Sequence, residues 1–320
     1  MDKPDDPTAW SVTDATPSRH DPQASTEPPG RSGGDAPHLV DLHTHSTQSD
    51  GTLTPTALVR AAAERGLQVL SLTDHDTLSG IAEATAAAQL FGIEVVPGVE
   101  MSSSASDGNG NSSVHLLGYY VDYDNVDLRT ELAAFALARQ TRMERITEKL
   151  NDLGLQILPD DVLKLVGSGT VGRPHIARAL VNLEYVSDLR EAFDRYLGRG
   201  APAFVPRPKV ETERCIQMIR RAGGVAVMAH PRDLERLDDL LDRLVPAGLG
   251  GIEVYYGEYD DPTRQELRRI ADRCGLIATG GSDYHGPNFK VGRELGSPFV
   301  PLESVEQLRS AANRPASTSC

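Results

Sequence analysis

Six of the nine histidines in this 320-residue chain fall, together with six carboxylates, at or near the ends of apolar runs. In order they read Asp41-Leu-His43-Thr-His45, Asp50, Asp74-His75-Asp76, Glu100, His115, His230 and Asp283-Tyr-His285. Imidazole nitrogens and carboxylate oxygens are the ligands that divalent Zn, Mn and Fe prefer. His43, His45, Asp50, His75, Glu100, His115, His230, Asp283 and His285 make nine candidate ligands, too many for one closed structural site. Two or three ions sharing bridging carboxylates would use them all. Bridged ions are a device for hydrolysing phosphate esters.

The spacing says how these groups would be presented. His43-x-His45 alternates along a strand, so both side chains share one face where that strand ends. Asp283-Tyr-His285 repeats the alternation behind Gly280-Gly281, whose lack of side chains lets backbones approach closely. Asp41 and Asp74 read as groups that orient neighbouring ligands, and Asp76 with Thr77 as the cap of the next helix. Glu100, just past Val95-Val-Pro-Gly-Val99, is placed to bridge two ions. His230-Pro231 closes the run Val225–Ala229. His115 differs, because it opens its strand and follows a polar stretch.

The elements that must carry these residues alternate. Apolar runs at 38–43, 68–73, 93–99, 114–120, 223–229, 251–256 and 276–279 read as strands. Between most of them lie helical patterns, the first opened by Thr54 as N-cap with Pro55 behind it. Such alternation predicts an α/β chain with a parallel sheet, closed or nearly closed into a TIM-like barrel with ligands at the strand ends. Residues 102–113 are rich in Ser, Asn, Gly and Asp and read as a mobile loop. Residues 124–200 carry helical periodicity and no strand, and read as a helical insertion capping the mouth. The barrel would then comprise 38–123 and 201–320. Residues 1–37, with seven of the 21 prolines and almost no aliphatics, read as a disordered tail holding His20.

Composition bounds the function. A net charge of −14 repels nucleic acid globally, so any nucleotide contact must come from bound cations and a local basic pocket. No apolar run approaches the roughly 20 residues that span a bilayer, and no secretory signal is visible. Cys215, Cys274 and Cys320 are scattered without CxxC spacing, which favours a reducing cytoplasm. No obligate protein partner is evident. Gly167-Ser-Gly169-Thr-Val-Gly172 matches GxGxxG, but it follows a helical pattern, not a first strand, so a dinucleotide fold is rejected.

At the residues above the chain resembles the polymerase-and-histidinol-phosphatase (PHP) superfamily of metal phosphoesterases. DLHTHSTQSDGTLTP, SLTDHDTLSG, PGVE, HLLGYY, AVMAHP and GGSDYHG carry the resemblance over residues 38 to about 300. It is most similar to the bacterial branch acting on 3′,5′-nucleoside bisphosphates and the 5′ ends of short RNA. That branch has Asp at the position of Asp50, where histidinol phosphatases have His, and a run like Gly172–Leu180 in a helical insertion. The resemblance implies a distorted (β/α)7 barrel of PHP type and three divalent ions, manganese foremost, with zinc or iron as alternatives. His43, His45, Glu100 and Asp283 would hold the first, Asp50, His75 and His285 the second, and Glu100, His115 and His230 the third. The substrate would be a nucleotide phosphate or a short oligonucleotide. Arg173 and His175 from the cap would clamp the phosphate, since a planar guanidinium binds two phosphate oxygens at once. Arg207 and Lys209 are candidates for a second phosphate. A histidinol-phosphatase-like or proofreading member, and a non-catalytic regulatory one, stay open as alternatives.

Overall fold

The computed structural model describes residues 39–312 apart from 107–110, 168, 207–209, 235, 288 and 290–291. The expected tail, His20, Arg207, Lys209 and Cys320 lie outside the described residues.

Seven strands follow one another in space in chain order: β1 (Val40–Thr44), β2 (Val69–Leu72), β3 (Glu94–Ser106), β4 (Asn111–Tyr119), β5 (Val225–Met228), β6 (Gly251–Tyr256) and β7 (Ile277–Gly281). The last meets the first. Thr44 bridges Tyr284 just beyond β7, and the His45 N–H donates to the Tyr284 carbonyl at 2.8 Å, so the barrel is nearly closed. Gly281 makes that seam possible, because a Cβ there would collide with the His43 backbone.

Helices α1 (Pro55–Glu64), α2 (Ile81–Phe91), α3 (Val126–Asp152), α4 (Pro159–Val166), α5 (Arg173–Asn182), α6 (Leu189–Ala192), α7 (Thr212–Arg221), α8 (Leu237–Leu244), α9 (Asp261–Cys274) and α10 (Leu302–Ala312) complete the chain. Helix α1 starts as expected, Thr54 Oγ1 accepting from the Ala57 N–H at 3.2 Å ahead of Pro55. No helix among the described residues is long and apolar enough to cross a membrane.

Two expectations fail together. The sheet is not wholly parallel, because β4 runs against both β3 and β5. Nor is 102–113 a loop throughout: β3 continues to Ser106 and β4 begins at Asn111. An antiparallel pair needs only a short connection, whereas a parallel one needs a crossover, and only four residues lie between these two strands. The serines that look loop-like are paired across the ladder, Ser103 Oγ donating to the Val114 carbonyl at 2.8 Å. Pairing has overridden composition.

Among the described residues between β4 and α7 the regular elements are helices, and they bury a cluster of their own. Met143, Ile146 and Leu150 of α3 pack with Val162 of α4 and Ile176 and Leu180 of α5, and the cluster reaches Val205. The first half of α3 belongs elsewhere, since Leu128 and Leu132 pack with Val99, Val114 and Ile219 of the barrel. One helix thus ties this helical cluster to the barrel.

Candidate metal centre

All nine expected ligands converge at one end of the barrel. His43 and His45 leave β1 fully buried, Asp50 follows in the next turn, and His75 stands just past β2. His230 follows β5, and Asp283 and His285 follow β7. Glu100 and His115 lie inside strands. Antiparallel pairing explains His115: Ser102 faces it, so the early residues of β4 stand beside the late residues of β3. A ligand that opens its strand in sequence therefore reaches the same mouth.

Glu100 is the hub. Its Oε2 lies 3.4 Å from His43 Nε2, 3.3 Å from His45 Nε2 and 3.0 Å from His75 Nδ1. Its Oε1 lies 2.6 Å from His115 Nδ1 and 3.2 Å from His230 Nε2. Asp283 Oδ1 sits 3.1 Å from His45 Nε2, and Asp50 Oδ1 sits 3.3 Å from His285 Nε2. Three overlapping groups have ligand atoms within 4.8 Å of one another: His45, Asp50, His75 and His285; His43, His45, Glu100 and Asp283; His75, Glu100 and His115. His45 and His75 each belong to two of these groups, and His230 stands beside the third through Glu100.

The donor set fits divalent cations. His45 Nε2, Asp50 Oδ1 and His75 Nδ1 are buried and make no hydrogen bond, although opposite charges stand close by. Buried polar atoms are nearly always satisfied, so lone pairs converging on a shared space without bonding one another have the character of ligands.

Electrostatics points the same way. Burial alone would push Glu100 up, but the imidazoles of His75, His115 and His43 hold its carboxyl well below the usual range. Asp50, flanked by His75 and His285, and Asp283, flanked by His43 and His285, are held down against burial likewise. Burial also opposes charge on His45, yet Asp283 and Glu100 push it up to about 10.

Around the ligands lie residues that aim them. Asp41 accepts from Ser282 Oγ (2.6 Å), Ser282 N, Gly296 N and His43 N, fastening β1 to the end of β7; burial nevertheless pushes its carboxyl up to about 6. Asp74 accepts from Ser46 N (2.7 Å), Ser46 Oγ and Ser49 Oγ (2.6 Å each), setting the turn that brings Asp50 in. Asp76 is not a helix cap. Gly80 occupies the N-cap position of α2, and Asp76 accepts instead from Ser102 N at 2.7 Å and from Arg139 Nε at 2.6 Å. The turn after β2 is too long for it to reach the helix. Asp76, His230 and Asp283 all adopt positive φ, conformations that non-glycine residues hold only under surrounding constraint.

Glu253 escapes sequence reasoning. Fully buried in β6, it accepts from His43 Nδ1 at 2.9 Å and from the His230 N–H at 2.7 Å. Its signal is a lone carboxylate inside the apolar run Gly251–Tyr256. Tyr256 and Arg293 were also not foreseen: Tyr256 Oη and Arg293 Nη1 reach Asp283 Oδ2 at 2.8 and 2.6 Å.

Above the ligands opens a cavity of about 480 Å³ lined by Asp50, His75, Glu100, Arg173, Phe193 and Phe289, among others. Arg173 reaches it from the start of α5, with Nη1 donating to the Leu197 carbonyl at 3.0 Å and its guanidinium over the Phe193 ring. His175 is buried beneath, and its Nδ1 accepts from the Gly172 N–H at 3.0 Å, so one ring nitrogen serves the helix start.

The model of the PHP domain family matches residues 41–199. A 3′,5′-nucleoside bisphosphate phosphatase from Chromobacterium violaceum is 37% identical over 262 residues, 80% of this chain and 90% of its own length. A 5′-3′ exoribonuclease from Haemophilus influenzae is 38% identical over 269 residues, 83% and 96% of the two chains. Among solved structures, one from Bifidobacterium adolescentis described as a metal-dependent phosphoesterase superposes with a TM-score of 0.78 at 34% identity, covering 85% of this chain and 96% of the other.

Proposed function

The chain belongs to the PHP domain family and is a metal-dependent phosphoesterase, and from that premise we propose that it removes the 3′-phosphate of 3′,5′-nucleoside bisphosphates. The observation that carries the proposal is the gathering of nine candidate ligand side chains, with Glu100 in contact with five of the others, beneath a cavity roomy enough for a nucleotide. The bisphosphatase relative supports the substrate. The exoribonuclease relative supports short RNA as a second substrate of the same site.

Three divalent ions, manganese foremost, are proposed. The first would be held by His43, His45, Glu100 and Asp283, the second by Asp50, His75 and His285, and the third by Glu100, His115 and His230. When bound, such ions supply an activated water and neutralise charge on phosphate oxygens. The rest falls to the chain. Glu100 turns one oxygen to each side, the disposition of a bridge. Glu253 accepts the His43 Nδ1 proton, which leaves the Nε2 lone pair facing the centre. Tyr256 and Arg293 occupy Asp283 Oδ2 and leave Oδ1 turned inward. Arg173, at a helix start where backbone N–H groups also favour anions, would hold phosphate oxygens during in-line displacement. The scattered cysteines, of which Cys215 and Cys274 are free thiols, support a cytoplasmic setting.

Turnover of manganese-loaded protein on 3′,5′-bisphosphates, mononucleotides and 5′-phosphorylated oligonucleotides tests the reading. Bisphosphates should have the highest kcat/KM. Preference for an unrelated phosphomonoester, with bisphosphates poorly cleaved, would overturn it.

A further inference from the structure

Four guanidiniums line the cavity, those of Arg139, Arg173, Arg232 and Arg293. Three are engaged. Arg139 is bound to Asp76, and Arg293 lies between Glu258 and Asp283 at 2.6 Å from each. Arg173 is held by the Leu197 carbonyl and Phe193. Arg232 is exposed and forms no ion pair among the described residues. Asp260 senses its charge, but that carboxylate caps α9, accepting from Thr263 N at 3.0 Å.

Arg232 is nonetheless firmly placed. His230 leaves β5 at positive φ, Pro231 begins a single 3₁₀ turn, and the Arg232 N–H donates to Tyr259 Oη at 3.0 Å. Tyr259 is itself buried. A cationic side chain therefore stands on an anchored turn two residues from His230. It also borders a separate hollow against α8 and α9, which puts it at the rim of the cavity and not on its floor.

We propose that Arg232 binds the second, non-reacting phosphate of the substrate. The inference rests on the bisphosphate reading above. The distribution of charge favours it: Asp50, Glu100 and Asp283 are gathered with the histidines on the floor, where bound cations would hold the phosphate to be cleaved. A guanidinium at the rim that forms no ion pair among the described residues would meet a second phosphate with its bidentate fork. Arg207, singled out by sequence for this role, lies outside the described residues.

The test compares kcat and KM of wild type, Arg232→Ala and Arg232→Lys, all manganese-loaded, on adenosine 3′,5′-bisphosphate and on adenosine 3′-monophosphate. Arg232→Ala should raise KM for the bisphosphate roughly tenfold more than for the monophosphate, the scale of one charge-assisted contact at an exposed position. Arg232→Lys should recover part of that difference, and calorimetry should show weaker binding of adenosine 5′-monophosphate to Arg232→Ala. Equal losses on both substrates, or a variant that discriminates between them as wild type does, would remove Arg232 from the role while leaving the bisphosphate reading intact. A wild type that itself treats the two substrates alike would remove both.

Discussion

Glu100 contacts five imidazoles with two oxygens, so its loss reaches every cluster at once. Glu100→Ala should lower bound manganese per chain as well as turnover, since in the proposed ligand sets this side chain would be shared by two ions. Metal analysis of the variant finding three ions with normal turnover would contradict the bridge. The proton balance gives an independent check. With His45 pushed up to about 10 by Asp283 and Glu100, the cation-free centre holds protons that binding must expel, because only neutral imidazole ligates. Metal binding should therefore release protons and tighten as pH rises through neutrality. Calorimetry in buffers of different ionisation enthalpy reads this directly, and a buffer-independent heat would count against it. Arg173→Ala, for its part, should cut kcat/KM by roughly 10²-fold, about 3 kcal/mol, with metal content intact. Wild-type kinetics would mean that the bond to Leu197 and the contact with Phe193 are its whole role. Much of this centre is legible in the sequence because His43-x-His45 and Asp283-x-His285 gather ligand types where apolar runs end, although Asp283 and His285 lie past β7 and Asp283 has positive φ. Glu253 is not, since a single carboxylate within an apolar strand has no periodic signature; only its burial identifies it.

At the scale of elements, α3 joins the helical cluster to the barrel. Its two halves pack in different clusters, and Arg139 lies between them. The Arg139 guanidinium grips Asp76 and Ser102 Oγ at 2.6 and 2.9 Å, one residue from His75 and two from Glu100. Removing one partner of a buried pair leaves the other charge uncompensated. Arg139→Ala should therefore cost roughly 3–5 kcal/mol in urea unfolding, with Arg139→Lys recovering only part, because an ammonium cannot reach both acceptors in one plane. Unchanged stability would show that the pair merely breaks even. Here sequence reasoning goes furthest astray. Asp76 reads as a cap because Asp before Thr is a common helix start, and 102–113 reads as a loop because serine and glycine are. Each is decided by a partner that local composition does not reveal, Arg139 for the first and the opposing strand for the second.

For the whole molecule, closing the sheet is what assembles the centre. Ligands from both ends of the barrel sequence, at His43 and at His285, meet only because β7 returns to β1, with Gly281 allowing the close approach and Asp41 tying Ser282 and Gly296 to the seam. The alternation of apolar runs and helical patterns makes that architecture readable in advance; the reversal of β4 is not, because strand direction leaves no mark in composition. The central claim is that this closed mouth is a polynuclear centre on which phosphate ester hydrolysis depends. Titrating manganese into metal-free protein while following hydrolysis of a 3′,5′-nucleoside bisphosphate tests it most directly. Activity should be absent without metal and rise to its maximum as three equivalents bind. Full turnover in verified metal-free protein, or saturation at a single equivalent, would contradict it.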